Sequence, residues 1–138
     1  MQTFLPYKDF KESAKVLDNK RLGKQRVEAY QIYKALTEEN NGWRNHPAVL
    51  MWKGHEDCLL EYMFAMIEEW TSRGFKDTIA EKFEGIKINP LPPSWLGDPE
   101  FHAAHRSNLL RKSEHYKQFN WREPNNLPYI WRVKKTKY

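Results

Sequence analysis

The sequence predicts a compact, single-domain, all-α fold with an extended basic and aromatic C-terminal segment. Three observations support this. A chain of 138 residues suits one hydrophobic core. Its 40% hydrophobic and 30% charged residues are typical of a globular protein. Apolar residues recur at helical spacing, whereas the one strand candidate, residues 85–88, is short and soon followed by Pro90. We therefore treat residues 1–138 as one domain.

The first helix is expected over about residues 9–38, with Gly23 as a weak point or kink. A second helix is expected to begin at Asn45 as N-cap, with Pro47 in its first turn. Its apolar positions continue to Gly74, which suits the residue after a last helical turn.

The second half of the chain contains two further predicted helices. A short one covers about residues 77–83, and a proline-rich extended segment follows at residues 89–95. The last helix has Asp98 as N-cap and Pro99 at its first position, and it runs to about Lys112. The remaining residues are expected to be irregular or extended.

Composition also excludes several classes of protein. No run approaches 18 apolar residues, so no transmembrane helix is expected. The N-terminus lacks the features of a signal peptide, which favours a cytoplasmic protein. The single cysteine, Cys58, lies in an apolar helical pattern and is predicted to be in the core. The five histidines accompany neither a HExxH motif nor a carboxylate cluster, so no metal and no cofactor are predicted.

Positive charge is concentrated at the C-terminus. Residues 102–138 hold 9 Lys/Arg against 2 Asp/Glu, whereas the whole chain has a net charge of +5. The same segment contains the aromatic residues Tyr116, Trp121, Tyr129, Trp131 and Tyr138. Cations interleaved with aromatic rings favour nucleic acid as the partner. The alternative is a solvated basic tail whose rings pack on the core.

A polar stripe on the first helix is the most informative local feature. Asp18, Arg21, Gln25 and Glu28 lie three or four residues apart and therefore share one face. The same face is apolar at both ends, so these side chains are expected to enter a semi-buried pocket. A carboxylate in such a pocket can act as general acid or base, which makes Glu28 the first catalytic candidate and Asp18 the second. The alternative is a salt-bridge network that only fixes helix packing.

Two other constellations are candidates for DNA contacts. The loop before the second helix combines an aromatic ring, a cation, an amide and an imidazole, and a helix N-terminus attracts anions. The last predicted helix carries histidine, arginine and serine at helical spacing, which suits a phosphodiester backbone. The alternatives are an N-cap with a tryptophan anchor and a basic solvent face, respectively. The residues predicted to contact DNA are Arg21, Lys24, Gln25, Arg26, Trp43, Arg44, Asn45, His46, His102, His105, Arg106, Ser107, Arg111 and Lys112.

Several of these segments resemble the pyrimidine dimer DNA glycosylases, the family of phage endonuclease V. Residues 17–29 resemble the first-helix motif of the family, in which Glu28 takes the place of an essential glutamate. Residues 73–78, 97–109 and the aromatic tail also match family segments. Longer strings are shared with a bacterial and phage branch of the family, namely residues 1–4, 21–26, 43–47 and 105–107.

The resemblance implies a compact all-α fold, a kinked duplex and a flipped base. It also implies that the α-amine of the N-terminal residue attacks the sugar C1′ to form an imine, while the glutamate stabilises the developing charge. The sequence departs from the family pattern at two positions. Gln2 replaces the usual threonine, which makes a retained Met1 the expected source of the amine, and Val27 replaces the usual arginine before the glutamate. Alternatively, water is the nucleophile, with Glu28 or Asp18 as the base.

The expected function is excision of a damaged or modified base from duplex DNA by a monomeric DNA glycosylase, with or without abasic-site lyase activity. The predicted catalytic residues are Glu28, Met1 and Asp18. Two alternatives remain open at this stage: a non-catalytic DNA-binding module, and a hydrolase that acts on RNA or nucleotides.

Overall fold

The computed structural model describes residues 1–133, so Tyr138 of the aromatic tail lies outside the described residues. The helices are α1 (Phe10–Val16), α2 (Asn19–Thr37), α3 (Pro47–Leu50), α4 (Glu56–Ser72) and α5 (Pro99–Lys112), with short 3-10 helices at Ala80–Phe83 and Glu114–Phe119. No strand occurs in residues 1–133, and the all-α prediction is confirmed. Within the same range, no helix combines the length and apolar character needed to cross a bilayer.

The first predicted helix is in fact two helices. The break falls at Leu17 and Asp18, which are both extended, and not at Gly23, which lies inside α2. The guanidinium of Arg73, at the far end of α4, donates to the carbonyls of Ala14, Lys15 and Leu17 at 2.8–3.3 Å. These carbonyls at the end of α1 therefore have partners outside the helix, which stabilises the break.

Gly23 allows α2 and α4 to approach closely. A Cβ atom at this position would lie 2.8 Å from two ring carbons of Trp70. The Trp70 ring has little freedom to move, because it stacks on Phe75 at 4.2 Å and carries the Arg26 guanidinium at 4.9 Å. The glycine predicted as a weak point is thus a packing position.

We expect Gly23→Ala to destabilise the protein. Alanine gains about 1 kcal/mol in helix propensity over glycine, but overpacking against Trp70 costs about 1–3 kcal/mol and the net effect is a loss. Urea denaturation followed by circular dichroism would measure the free energy of unfolding. Gly42→Ala is the matched control, since no atom lies within 4 Å of its Cβ position. A more stable Gly23→Ala variant would contradict this account of the packing.

The second predicted helix is also divided, into α3 and α4. Its N-cap is His46 and not Asn45: the His46 Nδ1 accepts from the Ala48 amide at 3.0 Å. The turn between the two helices contains Gly54, whose φ of +87° favours glycine. Gly74 follows Arg73, the C-cap of α4, and has φ +94°, as predicted for the residue after a last helical turn.

The remaining elements agree with the sequence in most respects. The third predicted helix shortens to the 3-10 turn Ala80–Phe83, and residues 85–88 form no strand. Helix α5 has the predicted bounds, and its N-cap Asp98 accepts from the Glu100 amide at 3.1 Å.

The core lies between α4 and the pair α1 and α2. Trp52 and Tyr62 are its largest side chains without exposed surface, and Cys58 is buried as predicted, with burial raising the pKa of its thiol to about 12. After α5, Tyr116 enters the core and stacks on Trp121. The chain then returns along α5, where the Asn108 amide donates to the Leu127 carbonyl at 3.3 Å. As a result, Tyr129 and Trp131 lie beside the N-terminal half of α2.

Candidate active site

A cleft of about 330 Å³ lies where the start of the chain meets α2, the end of α5 and the C-terminal segment. Its walls are lined by Met1, Gln2, Phe4, Lys20, Arg21, Lys24, Gln25, Glu28, Lys112, Tyr129 and Trp131. Two of the three predicted catalytic residues, Met1 and Glu28, thus share one cleft, and the third, Asp18, does not line it.

The Glu28 carboxylate contacts the first residues of the chain. Its Oε2 accepts from the backbone amide of Gln2 at 3.3 Å and from the side-chain amide of Gln25 at 2.8 Å. Both the α-amine of Met1 and the carboxylate lie near His46. Burial is the main cause that lowers the pKa of His46, the charge of the amine lowers it further, and the charge of Glu28 raises it. The Gln2 amide that contacts Glu28 belongs to the residue next to the amine, and Met1 and Glu28 both line the cleft.

The segment that carries the amine is buried and tightly held. Thr3 accepts from the indole of Trp52 at 3.1 Å, and the Phe4 amide donates to the Gln25 Oε1 at 2.7 Å. Leu5 is bonded on both sides, because its amide donates to His105 at 2.8 Å and its carbonyl contacts His102 at 2.7 Å. The α-amine of Met1 therefore lies at the end of an anchored segment. Thr3, in contrast, is 1% exposed and lies inside the protein.

Cations form much of the cleft wall. Lys20, Arg21 and Lys24 project from the first turns of α2, and Lys112 ends α5. Burial and the neighbouring charges of Arg21, Arg111 and Lys24 lower the pKa of Lys112. Like charges brought this close repel each other, and a phosphate placed among them would relieve the repulsion.

Asp18 lies outside the cleft and contacts Arg21, one of the cations in the cleft wall. Both its carboxylate oxygens accept from the Arg21 Nη1 at 3.3 Å, and the Tyr116 hydroxyl donates to the same carboxylate. Burial would raise the pKa of Asp18, but these hydrogen bonds and the Arg21 charge lower it below its usual value. An ionised carboxylate with these partners holds Arg21 in place, and the role of Asp18 as a general base stays a prediction.

The sequence model of the family described as pyrimidine dimer DNA glycosylase matches residues 1–82, which include the amine, the glutamate and the α2 cations. The chain belongs to this family. The match places it in a class of enzymes that act on DNA as glycosylases. Searches of curated proteins and of solved structures gave no significant match.

In this glycosylase, the histidines and the serine predicted on α5 lie in the interior. His102, His105 and Ser107 are 5%, 1% and 0% exposed. Burial lowers the pKa of His105 to about 3 and also lowers that of His102. Each ring accepts from a backbone amide through one nitrogen, His105 from Leu5 and His102 from Gly97, and therefore bonds as a neutral imidazole. The Ser107 hydroxyl accepts from the Leu127 amide at 3.0 Å. These three residues are left out of the proposed DNA surface.

Three other residues predicted to contact DNA, Arg26, Arg106 and Gln25, bind other residues of the protein. Arg26 forms an ion pair with Asp77, and Arg106 pairs with Glu123 at 2.6 Å while donating to the Pro6 carbonyl. Gln25 is 1% exposed, and its side-chain amide contacts Phe4, Glu28 and Tyr62. Arg111 is exposed but is also held, by Asn108 and the Asn125 carbonyl.

The loop before α3 remains at the surface beside the cleft. Trp43 is 56% exposed, and Arg44 and Asn45 are exposed as well. The His46 ring has the Trp43 ring at 5.9 Å and the Trp131 ring at 6.0 Å, both edge-on. Since Trp131 lines the cleft, this loop continues the cleft rim outward.

Sequence reasoning did not predict the cleft positions of Gln2, Phe4, Tyr129 and Trp131. The tail aromatics were recognised only as a group, because their position depends on the return of the chain along α5. Gln2 and Phe4 precede the first helix and follow no periodic pattern. Their only signal was the resemblance of residues 1–4 to the family branch.

Proposed function

We propose that this protein excises a damaged or modified base from duplex DNA and that the α-amine of Met1 is its nucleophile. The observation that carries the proposal is the shared cleft of Met1 and Glu28, with cations on its wall. In this proposal the target nucleotide leaves the base stack and its sugar enters the cleft. Lys20, Lys24 and Lys112 bind flanking phosphates, as does Arg21.

The proposed reaction needs no group beyond the residues of the cleft. The lone pair of the amine attacks C1′, the N-glycosidic bond breaks, and the base leaves with the bonding electrons. Glu28 stabilises the positive charge that develops on the sugar. Glu28 passes the amine proton to the ring oxygen O4′ as the C1′–O4′ bond breaks, which gives the imine. Glu28 then takes a proton from C2′, and the 3′ phosphate leaves with the electrons of the C3′–O bond. An α-amine suits the first step because more of it is neutral at pH 7 than of a lysine amine.

Aromatic rings are proposed to hold the displaced base. Tyr129 and Trp131 line the same cleft as the α2 cations, and stacking is tolerant of base identity. Trp43 is proposed to fill the space that the base leaves in the duplex, because it is the most exposed ring beside the cleft rim.

The experiment that tests this proposal is a borohydride trap with a duplex that carries one abasic site. The aldehyde of the abasic sugar and the amine would form an imine with loss of water, and borohydride would reduce it to a stable amine. We expect a covalent complex in intact-mass spectra, with the adduct mapped to Met1 by peptide sequencing.

Other results of the trap would contradict the proposal. An adduct on a lysine would assign the nucleophile elsewhere. Base release from a thymine-dimer duplex without any adduct would indicate water as the nucleophile. DNA binding with neither adduct nor base release would favour a non-catalytic DNA-binding module.

A further inference from the structure

One buried side chain connects the N-terminal segment, the core and the catalytic carboxylate. Gln25 lies one helical turn before Glu28 on α2 and is 1% exposed. Its Oε1 accepts from the Phe4 amide at 2.7 Å and lies 2.8 Å from the Tyr62 hydroxyl, whose single hydrogen is shared between this oxygen and the Phe4 carbonyl. Its Nε2 donates to the Glu28 Oε2 at 2.8 Å. The same amide thus touches the segment that carries Met1 and the carboxylate proposed to act with it.

The orientation of the Gln25 amide is determined by its neighbours. The backbone N–H of Phe4 can only donate, so the atom that faces it must be the oxygen. Turning the amide over would place its NH₂ group against that N–H and its oxygen against the Glu28 carboxylate. Two unfavourable contacts in a buried site would result. The NH₂ group is therefore held toward Glu28.

This arrangement distinguishes the two oxygens of Glu28. Oε2 accepts from the Gln2 amide and from Gln25. Both donors are held by the core. Gln25 contacts the Phe4 amide and the Tyr62 hydroxyl, and the same hydroxyl lies 2.9 Å from the Phe4 carbonyl, two residues after Gln2. With Oε2 held on the protein side, Oε1 is the oxygen available to the sugar.

We propose that Gln25 is a positioning residue that orients Glu28 so that its Oε1 faces the reacting sugar, in register with the α-amine of Met1. Gln25 does not touch the substrate in this proposal. It acts through Glu28, and the proposal rests on the function proposed above. Tyr62 supports it by holding the amide oxygen.

Substitution of Gln25 by leucine tests the role directly. We expect the single-turnover rate of strand cleavage at an abasic site to fall about 10- to 100-fold, the loss expected for one hydrogen bond to a charged group. The dissociation constant for the duplex should stay within about twofold, because Gln25 is buried. Tyr62→Phe should give a smaller loss, since the Phe4 amide still holds the Gln25 oxygen.

Gln25→Glu supplies a signature that a purely structural role would not produce. Its carboxylate can still accept from Phe4 and Tyr62, but it repels Glu28 when both are ionised. At lower pH a protonated carboxyl at position 25 again donates to Glu28. We therefore expect the rate of this variant, divided by the wild-type rate, to rise as the pH falls. The charged and titratable groups around the pair are the α-amine of Met1, Lys20, Arg21, Lys24, His46, Tyr62, Lys112 and Tyr129.

Ser13→Ala is the matched structural control. Ser13 is fully buried, and its hydroxyl bonds to the amide and the carbonyl of Tyr7, at the far end of the N-terminal segment. It has no contact with Glu28, so we expect this variant to lose stability without the pH signature. Unfolding curves for all variants separate loss of fold from loss of rate. A Gln25→Leu variant that folds and cleaves at the wild-type rate would overturn the proposal.

A second measurement does not depend on activity. The side-chain amide signals of Gln25 in the ¹⁵N-resolved NMR spectrum should move when Glu28 is replaced by alanine, because the donor loses its acceptor. Unchanged signals would overturn the positioning role. A wild-type protein that neither forms the adduct nor cleaves would instead refute the proposed function, while the Gln25 contact would still be decided by these signals.

Discussion

Replacing Glu28 by glutamine is expected to abolish base release while leaving DNA affinity almost unchanged. Glu28 is the single carboxylate among the residues from 1–133 that line the cleft. A glutamine of the same shape can still accept from the Gln2 amide through its carbonyl oxygen. It carries no charge, however, and cannot stabilise a cationic sugar or take up a proton. The expected decrease in single-turnover rate is about 10²- to 10⁴-fold.

The measurement is base release from a duplex with one thymine dimer, together with strand cleavage at an abasic site. Fluorescence anisotropy with undamaged duplex would measure affinity. Asp18→Asn is the matched control, since it makes the same chemical change, carboxylate to amide, at the N-cap of α2 and outside the cleft. We expect it to weaken DNA binding through loss of Arg21 orientation while retaining base release. Full excision by Glu28→Gln would remove Glu28 from the mechanism.

Extending the N-terminus by one residue is expected to remove the borohydride adduct. One residue moves the α-amine by up to about 3.6 Å. The segment cannot shift back to compensate, because Phe4 and Leu5 are bonded to Gln25, His105 and His102. A displacement of this size in a reacting group costs at least about 10²-fold in rate.

This variant can be prepared by proteolytic removal of a tag that leaves a single glycine before Met1. Intact mass would confirm the extension, and anisotropy would show that DNA affinity is retained. The matched comparison is the same tagged protein cleaved to restore Met1 as the first residue. An extended protein that forms the adduct at the wild-type rate would show that another amine is the nucleophile.

The parts of the fold and site that depend on local sequence were predictable. The Asp98-Pro99 start and Lys112 end of α5 follow from capping preferences and match the structure. The polar stripe on α2 follows from helical spacing, and it places Arg21, Gln25 and Glu28 at the cleft. Periodicity thus identified the side of the helix on which the candidate site lies.

The rest depends on contacts between residues distant in sequence. Arg73 stabilises the break before α2 from 56 residues away, so the pattern of residues 9–38 contains no sign of it. His102 and His105 have the composition of a phosphate-binding face, yet their partner is Leu5. The same residue types serve an exposed anion site or a buried backbone contact, and only the path of the N-terminal segment distinguishes the two.

The attachment of the start of the chain to α5 has a consequence for biosynthesis. The bond between Leu5 and His105 joins residues 100 positions apart. At about 5–20 residues per second, a ribosome needs roughly 5–20 s to travel that distance. During this interval the nascent chain carries its glutamate and its α2 cations without the histidines that bond to Leu5. The N-terminal segment, although made first, is thus among the last parts of the fold to gain its partners.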